Sequence, residues 1–247
     1  MKLDTVILAS NDNPDYLDFW PIVSEAWSIM GIEPILIYTG KSKQNLKGNI
    51  IEFDSKNFDS AFVAQNIRLL YPAMLNNKNC IISDIDLLPL SKRYFVESIE
   101  KFKDNSFIVY RPDAGLPKNM ISIMWNAANS DTWNEIFKSD TIDKIYKKLN
   151  QWYSRKYSIR GKAWYTDQIK LQKYLNKFQK RNKHRVVLLD DNNAGFNRFN
   201  RTKIDYHLSL LNNENTLFSD FHMPRPYNEH EELIKMVFNK NKINLKK

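Results

Sequence analysis

The stretch Asn79-Cys-Ile-Ile-Ser-Asp-Ile-Asp-Leu-Leu-Pro-Leu90 constrains this chain more than any other. Cys80, Ile81 and Ile82 form a brief apolar run of the kind that fills a strand covered on both faces. The run ends at Ser83, and two carboxylates follow, Asp84 and Asp86, with Ile85 between them. Leu87 and Leu88 return to apolar, and Pro89 is expected to stop further pairing. A buried strand that delivers two acids to its carboxyl end is poor design for stability, because unpaired charge in a low dielectric is costly. Such acids are compensated by a cation, and in open α/β sheets that carboxyl edge is where ligands bind. Hard oxygen donors with few others nearby suit Mg²⁺ or Mn²⁺ held partly by substrate phosphates. An Asp-x-Asp occurs about once by chance in a chain of this size, so its weight comes from its place directly after an apolar strand.

The rest of the chain alternates strand and helix. Leu3 to Ser10 reads as a first buried strand, closed by the polar loop Ser10-Asn-Asp-Asn-Pro-Asp15. Tyr16 to Met30 has apolar residues at helical spacing and stops at Gly31, as a helix C-cap should. Ile35–Thr39 and Ile50–Phe53 read as strands, and Ser60 is placed to cap a helix running to about Asn76. After the Cys80 strand, the pattern predicts a helix near Lys92–Lys103, strands at Ser106–Tyr110 and Met120–Trp125, and a helix from Ser130. Amphipathic stretches follow at Asp140–Trp152 and Thr166–Phe178, then a late strand at Arg185–Asp190. This order is the signature of a mostly parallel sheet with helices on both faces. With no repeat, linker or composition break, residues 1–247 are expected to form one domain.

Composition narrows the class. Hydrophobic content of 43% and aromatic content of 13% fit a folded protein and exclude disorder. The single cysteine, Cys80, can form no internal disulfide, which favours a reducing compartment. No apolar run approaches the roughly 20 residues that span a bilayer, and Asp4 sits where a signal peptide would turn apolar. A soluble, cytoplasmic protein without an integral membrane segment is the expectation. The net charge of +9 clusters around Arg155–Lys162 and Lys177–Arg185, and neither cluster forms a recognised nucleic-acid module.

Several pieces taken together resemble the GT-A superfamily of nucleotide-diphospho-sugar glycosyltransferases. They are Ala9-Ser-Asn-Asp after the first strand, the helix Gln65–Leu75, and Ser83-Asp-Ile-Asp86. Met124-Trp-Asn-Ala-Ala128, Tyr165-Thr-Asp-Gln168 and Asp220-Phe-His-Met-Pro-Arg-Pro226 follow in the order that superfamily uses. The resemblance implies a three-layer α/β/α sandwich around a mostly parallel, Rossmann-like sheet. It implies transfer of a sugar from a UDP- or GDP-linked donor to a glycan or other hydroxyl acceptor, with Mn²⁺ or Mg²⁺ as cofactor. Asp86 would ligate the metal on the donor diphosphate; Asp84 would reach it through water or bind ribose and sugar hydroxyls. His222 occupies the place of a late histidine that completes the metal shell. The glycine and lysine spacing that follows that histidine in one retaining branch is absent here, so retention or inversion stays open. Ala9, Ser10 and Asn11 fall where the donor binds. Arg68 and Arg225 are candidates to balance the acids and the phosphate charge, since Arg suits planar oxyanions.

Two further residues are read locally. Asp167, at an expected helix start, is either a first-turn carboxylate favoured by the dipole or the group that binds the acceptor hydroxyl, acting as base if the enzyme inverts. Asn126, at a strand end, is either a turn residue or a hydrogen-bond partner of the donor sugar. The competing readings are a Mg²⁺-dependent phosphohydrolase of the HAD type, with Val186–Asp191 as its late acidic strand, and a basic nucleic-acid-binding module. The hydrolase motif normally sits on the first strand, and several elements precede it here. The nucleic-acid reading leaves the two acids unexplained.

Overall fold

A computed structural model of the chain describes residues 1–42, 46–112, 114–211, 213 and 216–246. The strands are β1 (Thr5–Ser10), β2 (Glu33–Tyr38), β3 (Asn49–Glu52), β4 (Asn79–Ile82), β5 (Leu87–Pro89), β6 (Phe107–Tyr110), β7 (Asn126–Asn129), β8 (Val186–Leu189), β9 (Arg198–Asn200) and β10 (Asp220–His222). The helices are α1 (Pro14–Leu17), α2 (Trp20–Ile29), α3 (Ser60–Leu70), α4 (Lys92–Phe95), α5 (Ser130–Phe137), α6 (Ile142–Trp152), α7 (Thr166–Arg181), α8 (Asp191–Ala194), α9 (Ile204–Leu211) and α10 (Tyr227–Lys246).

Seven strands form one sheet in the order β3-β2-β1-β4-β7-β6-β8, with β7 antiparallel to both neighbours and the other pairs parallel. Alternation along each strand divides the core into two layers. Val6, Leu8, Ile81 and Ile108 join the layer that also holds Trp27, Phe95 and Val237. Ile7, Cys80, Ile82 and Val109 join the opposite layer with Phe62, Trp133 and Leu171. Period-2 side chains on strands buried on both faces produce this three-layer arrangement. Among the described residues, no helix is long and apolar enough to cross a membrane.

Several boundaries differ from the sequence expectation, each for a local reason. The helix expected over Tyr16–Met30 is two, α1 and α2, each with a proline in its first turn. Its end is as expected: Gly31 has φ +82°, its N–H donates to Ser28, and the N–H of Ile32 reaches back to Trp27. Asp59, not Ser60, caps α3, accepting from the N–H groups of Ala61 and Phe62. That helix stops at Leu70 because Pro72 has no N–H to continue it, and Tyr71–Met74 form a 3₁₀ turn. The helix expected over Lys92–Lys103 is only α4 plus a 3₁₀ turn at Glu97–Ile99. Tyr94, Phe95 and Val96 are buried side by side, which one helix face cannot arrange.

The strand expected at Met120–Trp125 begins only at Asn126, because Trp125 takes a left-handed φ of +51° that breaks extension. Pro89 does not stop pairing. Leu87–Pro89 form an edge of a second sheet, β5-β10-β9, in which a proline is tolerated.

Candidate active site

The acids lie where the chain leaves one sheet for the other. The N–H of Ser83 donates to Ile7, one step beyond the β1–β4 ladder. Asp84, Ile85 and Asp86 then turn the chain into β5, with the N–H of Leu87 donating to the Asp84 carbonyl at 3.4 Å.

Arg68, buried in the last turn of α3, anchors the first acid. Its guanidinium binds the Asp84 carboxylate, donates to the Ser83 carbonyl at 3.0 Å, and lies 3.5 Å from Oδ2 of Asp167. One cation thus serves two carboxylates. Asp167, in the first turn of α7, is 3% exposed, and burial pushes its carboxyl up to about 7. The nearby Arg68 charge and the Gln168 N–H, which donates to Oδ1 at 2.8 Å, oppose that rise without cancelling it.

Asp86 is compensated from the second sheet. In β10, His222 pairs with Leu87, so the register sets its imidazole one residue from Asp86. Nε2 of His222 lies 3.5 Å, Nη1 of Arg201 3.3 Å and Nε of Arg225 3.9 Å from Oδ2 of Asp86. Burial pushes the Asp86 carboxyl up. The hydrogen bond and charge of His222, with the charges of Arg225 and Arg201, outweigh that and hold it below the usual carboxylate range. The costly unpaired acid expected from the sequence is therefore surrounded by two guanidinium groups and an imidazole.

A cavity of about 450 Å³ opens over this turn. Ala9, Ser10 and Asn11 line it at the end of β1, and Arg68, Asp84, Asp86 and His222 line it at the junction of the sheets. Asn11 is fixed by donating to the hydroxyl of Ser60 at 3.1 Å, which ties the β1 loop to α3. The remaining candidates stand behind this lining. Asp167 lies behind Arg68. Arg225 stacks over Tyr16, 4.7 Å from its ring centroid. Asn126 is fully buried opposite Ile82, with its amide donating to the Ser122 and Ile123 carbonyls at 2.9 and 3.2 Å.

Arg201, Arg198 and Gln168 are among the lining residues that escaped the sequence reading as site residues. Arg201 bridges Asp86 and the Met223 carbonyl. Arg198 is held by the fully buried Asp220 at 2.8 Å and donates to the sulfur of Met124 at 3.1 Å. Gln168 has a buried Oε1 with no hydrogen-bond partner among the described residues. Gln168 stood inside a quoted motif; the two arginines carried no signal among 37 lysines and arginines.

Among the described residues, no group of three or more His, Cys, Asp or Glu gathers as a metal site. The late acids after β8 lie elsewhere: Asp190 caps α8, and Asp191 pairs with Arg111 at 3.0 Å. Both β7 and β6 separate β8 from β4.

No protein-family model matches the chain, and no curated protein matches it. Solved structures do. The glycosyltransferase GlyE of Streptococcus pneumoniae TIGR4 superposes with a TM-score of 0.53 at 12% identity, covering 99% of this chain and 62% of that one. The galactosyltransferase LgtC, in complex with donor and acceptor sugar analogs, gives 0.47 at 15% identity, with 96% of each chain covered. A glycosyltransferase involved in glycosylation of the major capsid of PBCV-1 gives 0.47 at 13%, covering 93% of this chain and 99% of that one. The mostly parallel sheet flanked by helices on both faces is shared with GlyE, and the fold is of the GT-A type.

Proposed function

We propose that the chain moves a sugar from a nucleotide-diphosphate sugar to a hydroxyl acceptor with the help of a divalent cation. The observation that carries this reading is the Asp84–Asp86 turn. It lies at the carboxyl end of β4, opens into the cavity, and is ringed by Arg68, Arg201 and His222.

The residues present fit a cation held only partly by protein. Oδ2 of Asp86 and Nε2 of His222 are 3.5 Å apart, a separation that two donors at roughly 2.0–2.3 Å from one ion can span. Diphosphate oxygens and water complete such a shell, and an imidazole donor favours Mn²⁺ over Mg²⁺. The cation supplies electrostatic stabilisation for the diphosphate leaving group. In this reading Arg201 meets phosphate oxygens beside Asp86, and Arg68 fixes Asp84 where it can accept donor hydroxyls. The unpartnered carbonyl of Gln168 accepts a sugar hydroxyl. Asp167 positions Arg68 from behind, and Asn126 braces the 122–125 segment that leads into β7. The distance of Asp190 and Asp191 from the cavity counts against a phosphohydrolase.

The test is a panel of UDP- and GDP-linked sugars with Mn²⁺ or Mg²⁺. Nucleoside diphosphate should be released from one of them, with no phosphate released from phosphomonoesters. Asp86→Ala should lower turnover by about 100-fold or more, the scale of losing one electrostatic stabiliser of developing charge. Undiminished turnover in that variant, or a covalent phosphate trapped on Asp84, would overturn the proposal.

A further inference from the structure

The chain's positive charge is concentrated in one segment. Between residues 138 and 185, fifteen lysines and arginines stand against three acids, a surplus of twelve where the whole chain has +9. The three acids do not neutralise the surface this segment forms. Asp167 is buried against Arg68, Asp140 is bound to Lys144 at 2.5 Å, and Asp143 lies in the first turn of α6. Glu135 of the neighbouring α5 is bound to Arg185 at 2.8 Å.

The fold gathers this charge on one face. Leu171, Leu175 and Phe178 mark the buried side of α7. Lys173, Lys177 and Lys180 follow helical spacing on its exposed side. Helix α6 packs antiparallel beside α7: Lys148 donates to the Tyr174 hydroxyl at 3.0 Å, and Lys170 lies 5.8 Å from the Trp152 ring. The lysines of both helices therefore border one ridge, about 24 Å long for a 16-residue helix. The loop before α7 adds exposed Arg155, Lys156, Arg160 and Lys162.

Apolar side chains stand exposed at the same end. Ile159 is 59% exposed, Tyr165 46% and Ile169 37%. Ile159 and Tyr165 also line the rim of the cavity over Asp84 and Asp86. Basic residues next to exposed aliphatic and aromatic ones match the chemistry of a bilayer interface, where head groups meet the charge and the acyl boundary takes the apolar groups. A nucleic acid would use the lysines and leave the two isoleucines in water, since it reads stacking and polar contacts.

We propose that the α6–α7 face and the 155–165 loop dock on an anionic lipid bilayer, which sets the cavity mouth at the membrane surface. This goes beyond the sugar-transfer reading and does not rest on it. The test is co-sedimentation of the full chain with vesicles of phosphatidylcholine alone or mixed with phosphatidylglycerol, at low and high salt. Binding is expected only to the anionic vesicles and should weaken with salt. Lys173→Gln/Lys177→Gln/Lys180→Gln should bind roughly 100-fold more weakly, at about fivefold per surface charge, with an unchanged melting temperature. Ile169→Asn should lower the binding that survives high salt. Equal binding of the wild-type chain to neutral and anionic vesicles, or none to either, overturns the proposal whether or not the variants fold. Full vesicle binding by the folded triple variant overturns it too. Duplex DNA that binds more tightly than the vesicles, and strips the chain from them, assigns the face to nucleic acid instead.

Discussion

Asp167 and Asp86 lie in one site, and their environments move them in opposite directions. Asp86 has the guanidinium groups of Arg201 and Arg225 and the imidazole of His222 to itself, whereas Asp167 shares one guanidinium with Asp84. Burial therefore wins at Asp167, whose carboxyl titrates at about 7 in the folded chain against 3.8 ordinarily. Between those values the folded chain holds a proton that the unfolded chain has released. The stabilisation from the neutral acid is complete below about pH 4 and is lost as pH rises through 7. Asp167→Asn keeps the shape and removes the titration. Its melting temperature should gain on the wild type by a few degrees between pH 5 and pH 8, and a gap that stays constant or narrows would show that Asp167 is ionised throughout. Asp86 shows the reverse. Its lowered value stabilises the fold above the ordinary carboxylate range and is lost under acid. Asp86→Ala would leave Arg201, His222 and Arg225 facing one another and should lower stability by about 1–3 kcal/mol in chemical denaturation. A gain in stability would mean that these side chains do not depend on Asp86.

At the scale of elements, the site depends on three strands of three residues each. Strand β10 carries His222 to Asp86 by pairing with β5, and carries Asp220 to Arg198 by pairing with β9. Phe221 fixes that small sheet to the core: it is fully buried, with its ring 4.6 Å from Phe199. Phe221→Ala should cost about 3–5 kcal/mol and weaken nucleotide binding, although the residue touches no part of the cavity. Tight binding in a folded Phe221→Ala chain would show that His222 is held by something other than its strand. This sheet also marks the limit of what the sequence discloses. Cys80-Ile-Ile82 and the acids after it were legible, because an apolar run and a switch to charge are local signals. Strands of three residues are too short to show a period, so β5, β9 and β10 were invisible, and Arg198 and Arg201 with them. The left-handed turn at Trp125 was equally hidden, since tertiary contacts impose it: its indole donates to the Ser83 hydroxyl at 3.1 Å. His222 was found through a resemblance that joined distant segments, which periodicity could not do.

For the whole molecule, net charge misleads about the cavity. The basic surplus lies in residues 138–185, and the rest of the chain has a slight acidic excess. Around the cavity, Arg68, Arg198, Arg201 and Arg225 face Asp84, Asp86 and Asp220, with Asp167 only partly ionised near pH 7. The site is thus close to balanced before any ligand enters, unlike a pocket built to hold phosphate by arginine alone. A diphosphate brought into it leaves an excess of negative charge in a partly buried space, which is unfavourable unless a cation enters with it. Metal and nucleotide should therefore bind with positive coupling, each improving the other's affinity by the same factor. In a thermal-shift experiment, Mn²⁺ alone and UDP or GDP alone should each raise the melting temperature little. The pair together should raise it by more than the sum of the two, because a ligand that binds only the folded state stabilises it by mass action. His222→Ala should reduce the excess in Mn²⁺ more than in Mg²⁺, since nitrogen suits the softer ion. If the nucleotide alone gives the full shift and metal adds nothing, the arginines meet the diphosphate by themselves and the chain works without a metal.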